Sequence, residues 1–212
     1  MLSTKIICTI GPASESPKNL AELAEAGMNV ARLNFSHGTH QSHKKIIEQI
    51  RNLNKDRQYP IAIMLDTQGP EIRTGDKEIT LISGKRVCVT VPPNEESEGT
   101  LFVNYVDLKD DMKEGSCISL DGGLMSLKVC GKNKKGIECE VIDGGVVKAH
   151  RHVNLPGAIV KLPGITETDK QDILFGIEQK VDVIALSFVR SSETIREVRA
   201  SLGVHAKNIK LI

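Results

Sequence analysis

The stretch Gly27-Met28-Asn29-Val30-Ala31-Arg32-Leu33-Asn34-Phe35-Ser36-His37-Gly38 decides the fold class. Its period is two. Arg32, Asn34 and Ser36 fall on one face of an extended segment, Leu33 and Phe35 on the other. Helical patterns flank it. Upstream, Ser16-Pro17 reads as an N-cap followed by proline at the first helical position; Leu20, Leu23 and Ala24 form an apolar stripe, and Gly27 stops the helix. Downstream, a helix from about 39 to 54 carries Ile46, Ile47, Ile50 and Leu53 on one face. Apolar runs at 5–10 and 61–65 add a strand on either side. Repeated β-then-α units predict a parallel sheet with right-handed crossovers.

The pattern changes over 70–155. Strand-like pieces such as Arg86-Val87-Cys88-Val89-Thr90-Val91 alternate with turn signals at Asp121-Gly122-Gly123, 132–136 and Asp143-Gly144-Gly145, which predicts a small antiparallel β domain. From Leu155 the β/α alternation resumes: Thr166 caps a helix bearing Ile173, Leu174 and Ile177, a strand covers 181–186, Ser191 caps a helix with Ile195, Val198 and Leu202, and a fifth strand opens at 207–212. The expected organisation is 1–69 and 156–212 as two parts of one β/α domain, with 70–155 inserted. The unusual polar residues collect after strands, at 34–37, 66–73 and 187–190. Both a β/α barrel and a doubly wound sheet place their sites there. The absence of Gly-x-Gly-x-x-Gly after a strand argues against a dinucleotide-binding sheet. Four β/α units and a fifth strand amount to about half of an eight-stranded barrel.

Of 212 residues, 40% are hydrophobic and 26% charged, and 28 basic against 27 acidic residues leave a net charge of +1. That balance gives no electrostatic case for nucleic acid or an anionic membrane. Five cysteines without a C-x-x-C spacing predict reduced thiols. The opening MLSTKIICTIGPAS lacks the apolar run of a signal peptide, and no segment has the length of a membrane span, so a cytoplasmic protein is expected.

Arg32, at the mouth of a parallel sheet, can fork two hydrogen bonds to phosphate or carboxylate oxygens, and Asn34 and Ser36 offer neutral oxygens to a cation of low charge density. The segment Asp66-Thr67-Gln68-Gly69-Pro70-Glu71-Ile72-Arg73 packs carboxylates, a hydroxyl and an arginine where the pattern switches from β/α to β. His40, His43, His150 and His205 read as surface residues. Lys161, Asp169 and Asp172 read as helix-start and surface charges, and 132–135 as a solvated hairpin tip.

The opening 4–14, Thr-Lys-Ile-Ile-Cys-Thr-Ile-Gly-Pro-Ala-Ser, resembles the amino-terminal motif of the pyruvate kinases. So do Asn34-Phe35-Ser36-His37-Gly38, the segment 66–73, Asn154-Leu155-Pro156-Gly157 and Ser187-Phe188-Val189-Arg190, in the same order. The resemblance implies a partial (β/α)8 TIM barrel with an inserted antiparallel β-barrel-like domain that acts as a lid. It implies phosphoryl transfer from phosphoenolpyruvate to ADP, giving pyruvate and ATP in glycolysis, with Mg²⁺ and K⁺ as cofactors and a homotetrameric complete protein. Arg32 then grips the phosphoryl group, and Ser187 binds substrate. Asn34, Ser36, Asp66 and Thr67 hold K⁺, and His37, Arg73 and Arg151 face the nucleotide. Glutamate at the Glu71 position goes with potassium dependence. Two departures stand out: Gln68 replaces a usual lysine, and His152 stands where glycine is usual. The family's catalytic lysine and Mg²⁺ carboxylates fall after Ile212, so the expectation is a fragment inactive by itself. The alternative is a non-catalytic fragment that binds phospho-ligands or pairs with full-length subunits.

Overall fold

The computed structural model describes residues 4–94 and 97–212; Met1, Leu2 and Ser3, at the start of the stretch read for a signal peptide, lie outside them. The chain divides into two compact units, one of Met1–Pro70 with Pro163–Ile212 and one of Glu71–Leu162.

In the first unit the alternation becomes a parallel sheet. Its strands are β1 (Ile7–Ile10), β2 (Val30–Asn34), β3 (Ala62–Asp66), β12 (Val183–Ala185) and β13 (Lys210–Leu211), adjacent in that order. Helices α1 (Pro17–Glu25), α2 (His40–Asn54), α4 (Glu167–Glu178) and α5 (Ser192–Leu202) make the crossovers. Each begins on a hydroxyl cap, which satisfies backbone N–H groups that the first turn leaves without a partner. Ser16 accepts from Asn19 N–H, Ser191 accepts from Thr194 N–H, and Thr39 with Ser42 and Thr166 with Asp169 form reciprocal capping boxes. Leu20 and Ala24 of α1, Ile46, Ile47 and Ile50 of α2, Ile173 of α4, and Val198 and Leu202 of α5 bury one face of the sheet: Ile10, Ala31, Leu33, Ile63, Leu65 and Ile184. The register pairs Thr9 with Arg32, Arg32 with Met64, and Asn34 with Asp66, so these residues share the opposite face.

Three residues expected at the surface lie in this helix layer. His43 is 6% exposed, Asp169 2% and Asp172 4%. His43 precedes Ile46 and Ile47 by three and four positions, so it extends the α2 stripe inward. Asp169 and Asp172 stand one turn before Ile173 and Gly176 on α4 in the same way. His40 keeps an exposed edge but is tied to Asp172 through Nε2 at 2.6 Å.

The second unit is built on a six-stranded sheet. Its members are β5 (Arg86–Thr90), β6 (Thr100–Phe102), β7 (Cys117–Leu120), β8 (Met125–Lys132), β9 (Gly136–Asp143) and β11 (Val153–Asn154), in the order β11-β7-β8-β9-β5-β6. A two-stranded piece pairs β4 (Ile79–Leu81) with β10 (Gly145–Val147), and a short helix, α3 (Leu108–Asp111), lies between β6 and β7. Most pairs are antiparallel, as hairpin turns require, but β5 and β6 run parallel. The segment 156–162, read above with the β/α domain, belongs here. Ala158, Val160 and Leu162 pack on this unit's core, and Lys161 N–H donates to the Tyr105 hydroxyl at 2.7 Å. Asp111 accepts from that hydroxyl and pairs with Lys161 Nζ at 2.9 Å.

All five cysteines are free thiols, and burial pushes Cys139 up to about 12. No helix among the described residues is long and apolar enough to cross a membrane.

Leu33 is fully buried between the sheet and its helices. Leu33→Ala is expected to lower stability by roughly 2–5 kcal/mol, and Leu33→Ile by less than about 1.5 kcal/mol. Urea denaturation of both variants checks the difference. Equal midpoints would show that this face is not the packed one.

Candidate active site

The carboxyl ends of β1, β2, β3 and β12 converge on Arg32. Its Nε donates to Asp66 Oδ2 at 2.9 Å, its Nη2 donates to the same oxygen, and Nη1 donates to Thr9 Oγ1 at 2.6 Å. Three of the five guanidinium N–H groups are thus committed. The side chain remains 33% exposed against 14% for Asp66, so the rest of the fork can meet an anion. Thr9 follows from the register, because it is the β1 partner of Arg32. The sequence reading missed this hydroxyl.

Around the pair, backbone bonds fix the strand ends. Phe35 N–H donates to the Asp66 carbonyl and Thr67 N–H to that of Ala185, each at 3.0 Å. Ser187 N–H donates to Thr67 Oγ1 at 3.1 Å, and Ser187 Oγ reaches Asp66 Oδ1 at 3.5 Å. Asn34 Oδ1 accepts from Ser36 N–H at 3.0 Å. Gly69 closes this end of the site with φ +73°, and a Cβ there would lie 2.9 Å from the Ser187 carbonyl oxygen. Only glycine combines that backbone with that approach. Gly69 N–H donates to buried Asp169 Oδ1 at 2.9 Å, a role invisible in the sequence.

Asn34, Ser36, Asp66 and Thr67 offer amide, hydroxyl, carbonyl and carboxylate oxygens with one formal charge. That donor chemistry fits a large monovalent cation better than a divalent one. Among the described residues no group of three or more His, Cys, Asp or Glu side chains converges on a metal position.

Behind the site His43 stacks on Phe35, with ring centroids 4.1 Å apart and planes 17° from parallel. Burial pushes its pKa below the ordinary 6.5, against the raising effects of its bond to the His37 carbonyl and of Asp172. Burial raises the Asp172 carboxyl, with His40 opposing. His37 itself is exposed.

Arg73 and Arg151 lie in the second unit. Glu71, its side chain 9% exposed, accepts from Arg73 Nε at 2.5 Å and meets His152 Nε2 at 3.1 Å. Arg73 Nη1 donates to the His150 carbonyl at 2.7 Å, so three of its N–H groups are committed within this unit, with the side chain 30% exposed. Arg151 Nη1 approaches Asp121 Oδ1 at 3.7 Å.

The pyruvate kinase barrel-domain family model matches residues 1–212. A pyruvate kinase from Geobacillus stearothermophilus is 48% identical over 215 residues, covering 99% of this chain and 37% of that protein. The pyruvate kinase of Sporosarcina psychrophila is 46% identical, covering 100% and 37%, and plastidial pyruvate kinase 2 of Arabidopsis thaliana is 43% identical, covering 99% and 37%. The chain therefore spans about 37% of the length of these curated relatives.

NMR titration of the histidine ring protons is expected to give His43 a midpoint below 6.5. In that window the native state binds fewer protons than the unfolded chain. The His43 contribution to stability is therefore complete above pH 6.5 and is lost as pH falls through the depressed midpoint. A midpoint at or above 6.5 would contradict the burial of the ring.

Proposed function

The chain belongs to the pyruvate kinase family, and on that premise we propose that it supplies the amino-terminal part of an enzyme that transfers a phosphoryl group from phosphoenolpyruvate to ADP, giving pyruvate and ATP. The observation that carries the reading is the partly exposed fork of Arg32, oriented by Asp66 and Thr9 at the carboxyl ends of parallel strands. In this reading the five parallel strands are the first part of an eight-stranded (β/α)8 barrel and the β-rich unit is the inserted domain. The complete protein is a cytoplasmic homotetramer acting in glycolysis.

Phosphoryl transfer depends on position and on charge neutralisation more than on covalent catalysis. Arg32 holds the phosphoryl oxygens, and its bonds strengthen as negative charge spreads over them. Asp66 keeps the fork in the plane it must have before substrate arrives. Ser187 holds substrate beside Asp66. Asn34, Ser36, Asp66 and the Thr67 carbonyl hold K⁺, which when bound supplies a positive charge that offsets the Asp66 carboxylate. Arg73 and Arg151, with His37, serve the nucleotide phosphates. For Arg73 this means exchanging the Glu71 carboxylate for a phosphate, a bidentate partner of the same kind. The Mg²⁺ carboxylates and the catalytic lysine are assigned to residues beyond these 212, and the stretch alone makes no ATP.

In the full-length protein Arg32→Ala is expected to lower kcat by roughly 10²–10³-fold, the size typical of a lost transition-state donor, with a smaller change in the KM for phosphoenolpyruvate. An effect on KM alone would make Arg32 a ground-state binder. Rates in K⁺, in Na⁺ and in a bulky organic cation at constant ionic strength test the cation assignment. Equal rates in all three would overturn it.

A further inference from the structure

We propose that His43 is a positioning residue for the turn that carries Asn34 and Ser36, and through that turn for the cation site. The inference rests on the assignment of those two residues just given and names what holds them in place. The turn lies between the last residue of β2 and the cap of α2, and alternation divides it. Phe35 points into the helix layer, while Asn34 and Ser36 belong to the site face. Whatever fixes Phe35 and the His37 carbonyl therefore fixes the rotation of the two oxygen-bearing side chains on the other side.

His43 does both. Its ring lies on Phe35, and its Nε2 is 2.9 Å from the His37 carbonyl oxygen. A carbonyl only accepts, so Nε2 carries the proton and the tautomer is set. Nδ1 is then an unprotonated nitrogen, buried and without a protein partner. Leaving such an atom buried without a hydrogen bond is unfavourable. An apolar side chain would fill the space without that cost, so the donor bond to the turn is what distinguishes histidine here. Gly38, at φ +81°, brings its backbone against the same ring: a Cβ there would stand 3.2 Å from Nε2 and 3.0 Å from Ser42 Oγ. A second layer braces the first. His40 stacks on Phe175 at 4.4 Å with its planes 17° from parallel and binds Asp172 Oδ1, and Phe175 in turn meets Phe35 at 5.9 Å. His43 is 6% exposed, so it acts on ligands only through the turn.

Two variants of the full-length protein separate positioning from packing. His43→Phe keeps a ring on Phe35 and removes the donor; His43→Gln restores an N–H donor and removes the ring. The thallous ion replaces K⁺ as a probe whose binding is read directly by ²⁰⁵Tl NMR, independently of turnover. We expect His43→Phe to weaken Tl⁺ binding about tenfold, which corresponds to ~1.4 kcal/mol, near the net worth of one hydrogen bond. His43→Gln should bind within about threefold of the unmutated protein, a difference under ~0.7 kcal/mol. Hydrogen exchange at 35–37, measured without cation, should quicken in His43→Phe and not in His43→Gln. Unmutated binding and exchange in His43→Phe would overturn the inference, leaving His43 a core residue. Should His43→Phe fail to fold, a tenfold loss in a folded His43→Gln would overturn it equally. An unmutated protein that binds no Tl⁺ would sink the cation assignment itself, and this inference with it.

Discussion

The ion pair between Arg32 and Asp66 is the constraint on which the first unit turns. A guanidinium and a carboxylate that are both partly withdrawn from water must be matched closely, because the cost of removing either partner lies between the roughly 0–1 kcal/mol of a surface pair and the roughly 3–5 kcal/mol of a buried one. The match holds only in one register. Arg32 sits two residues before the end of β2, opposite Met64, and reaches forward to Asp66 at the end of β3, while Thr9 on β1 takes the remaining side of the fork. A slip of one residue would turn Arg32 into the helix layer and Leu33 onto the site face.

The helices serve the site from behind. Their apolar stripes bury Leu33 and Leu65, the residues next to Arg32 and Asp66 in sequence, and so hold the alternation that exposes the charged pair. The same layer contains polar groups with specific tasks: Asp169 accepts from Gly69 N–H and closes the cap of α4, and Asp172 holds His40. Asp169 is buried against donors to both of its oxygens, which is the condition for a charged group to persist in a core, whereas Asp172 Oδ2 has no hydrogen-bond partner and burial raises that carboxyl.

Much of this was legible in the sequence. Alternation in 28–35, hydroxyl caps at Ser16, Thr39, Thr166 and Ser191, and the run of turn signals between 120 and 145 are local signals, and local signals carry secondary structure. The grouping of Arg32, Asn34 and Ser36 on one strand face follows from the same period. The signal for buried His43 was present as well, three and four residues ahead of Ile46 and Ile47, but polarity outweighed spacing. Asp169, at a helix start as read, and Asp172 lie buried rather than at the surface through the same spacing. Thr9, the parallel pairing of β5 with β6, and the packing of 156–162 depend on contacts between distant segments. No window of sequence contains them.

On the function proposed above, the pairing of Arg32 with Asp66 would couple two kinds of ligand. As the side chains stand, the guanidinium is partly neutralised by an internal carboxylate, so an incoming anion competes with Asp66 for the same N–H groups. A cation that draws on the Asp66 oxygens weakens that internal bond and leaves the fork more available. By linkage, an anion on Arg32 must then strengthen cation binding at Asp66 by the same factor. Glu71 holds Arg73 in the same way within the second unit, with His152 as a further partner. There the carboxylate is divided between two partners. Each arginine is thus held by a carboxylate within its own unit.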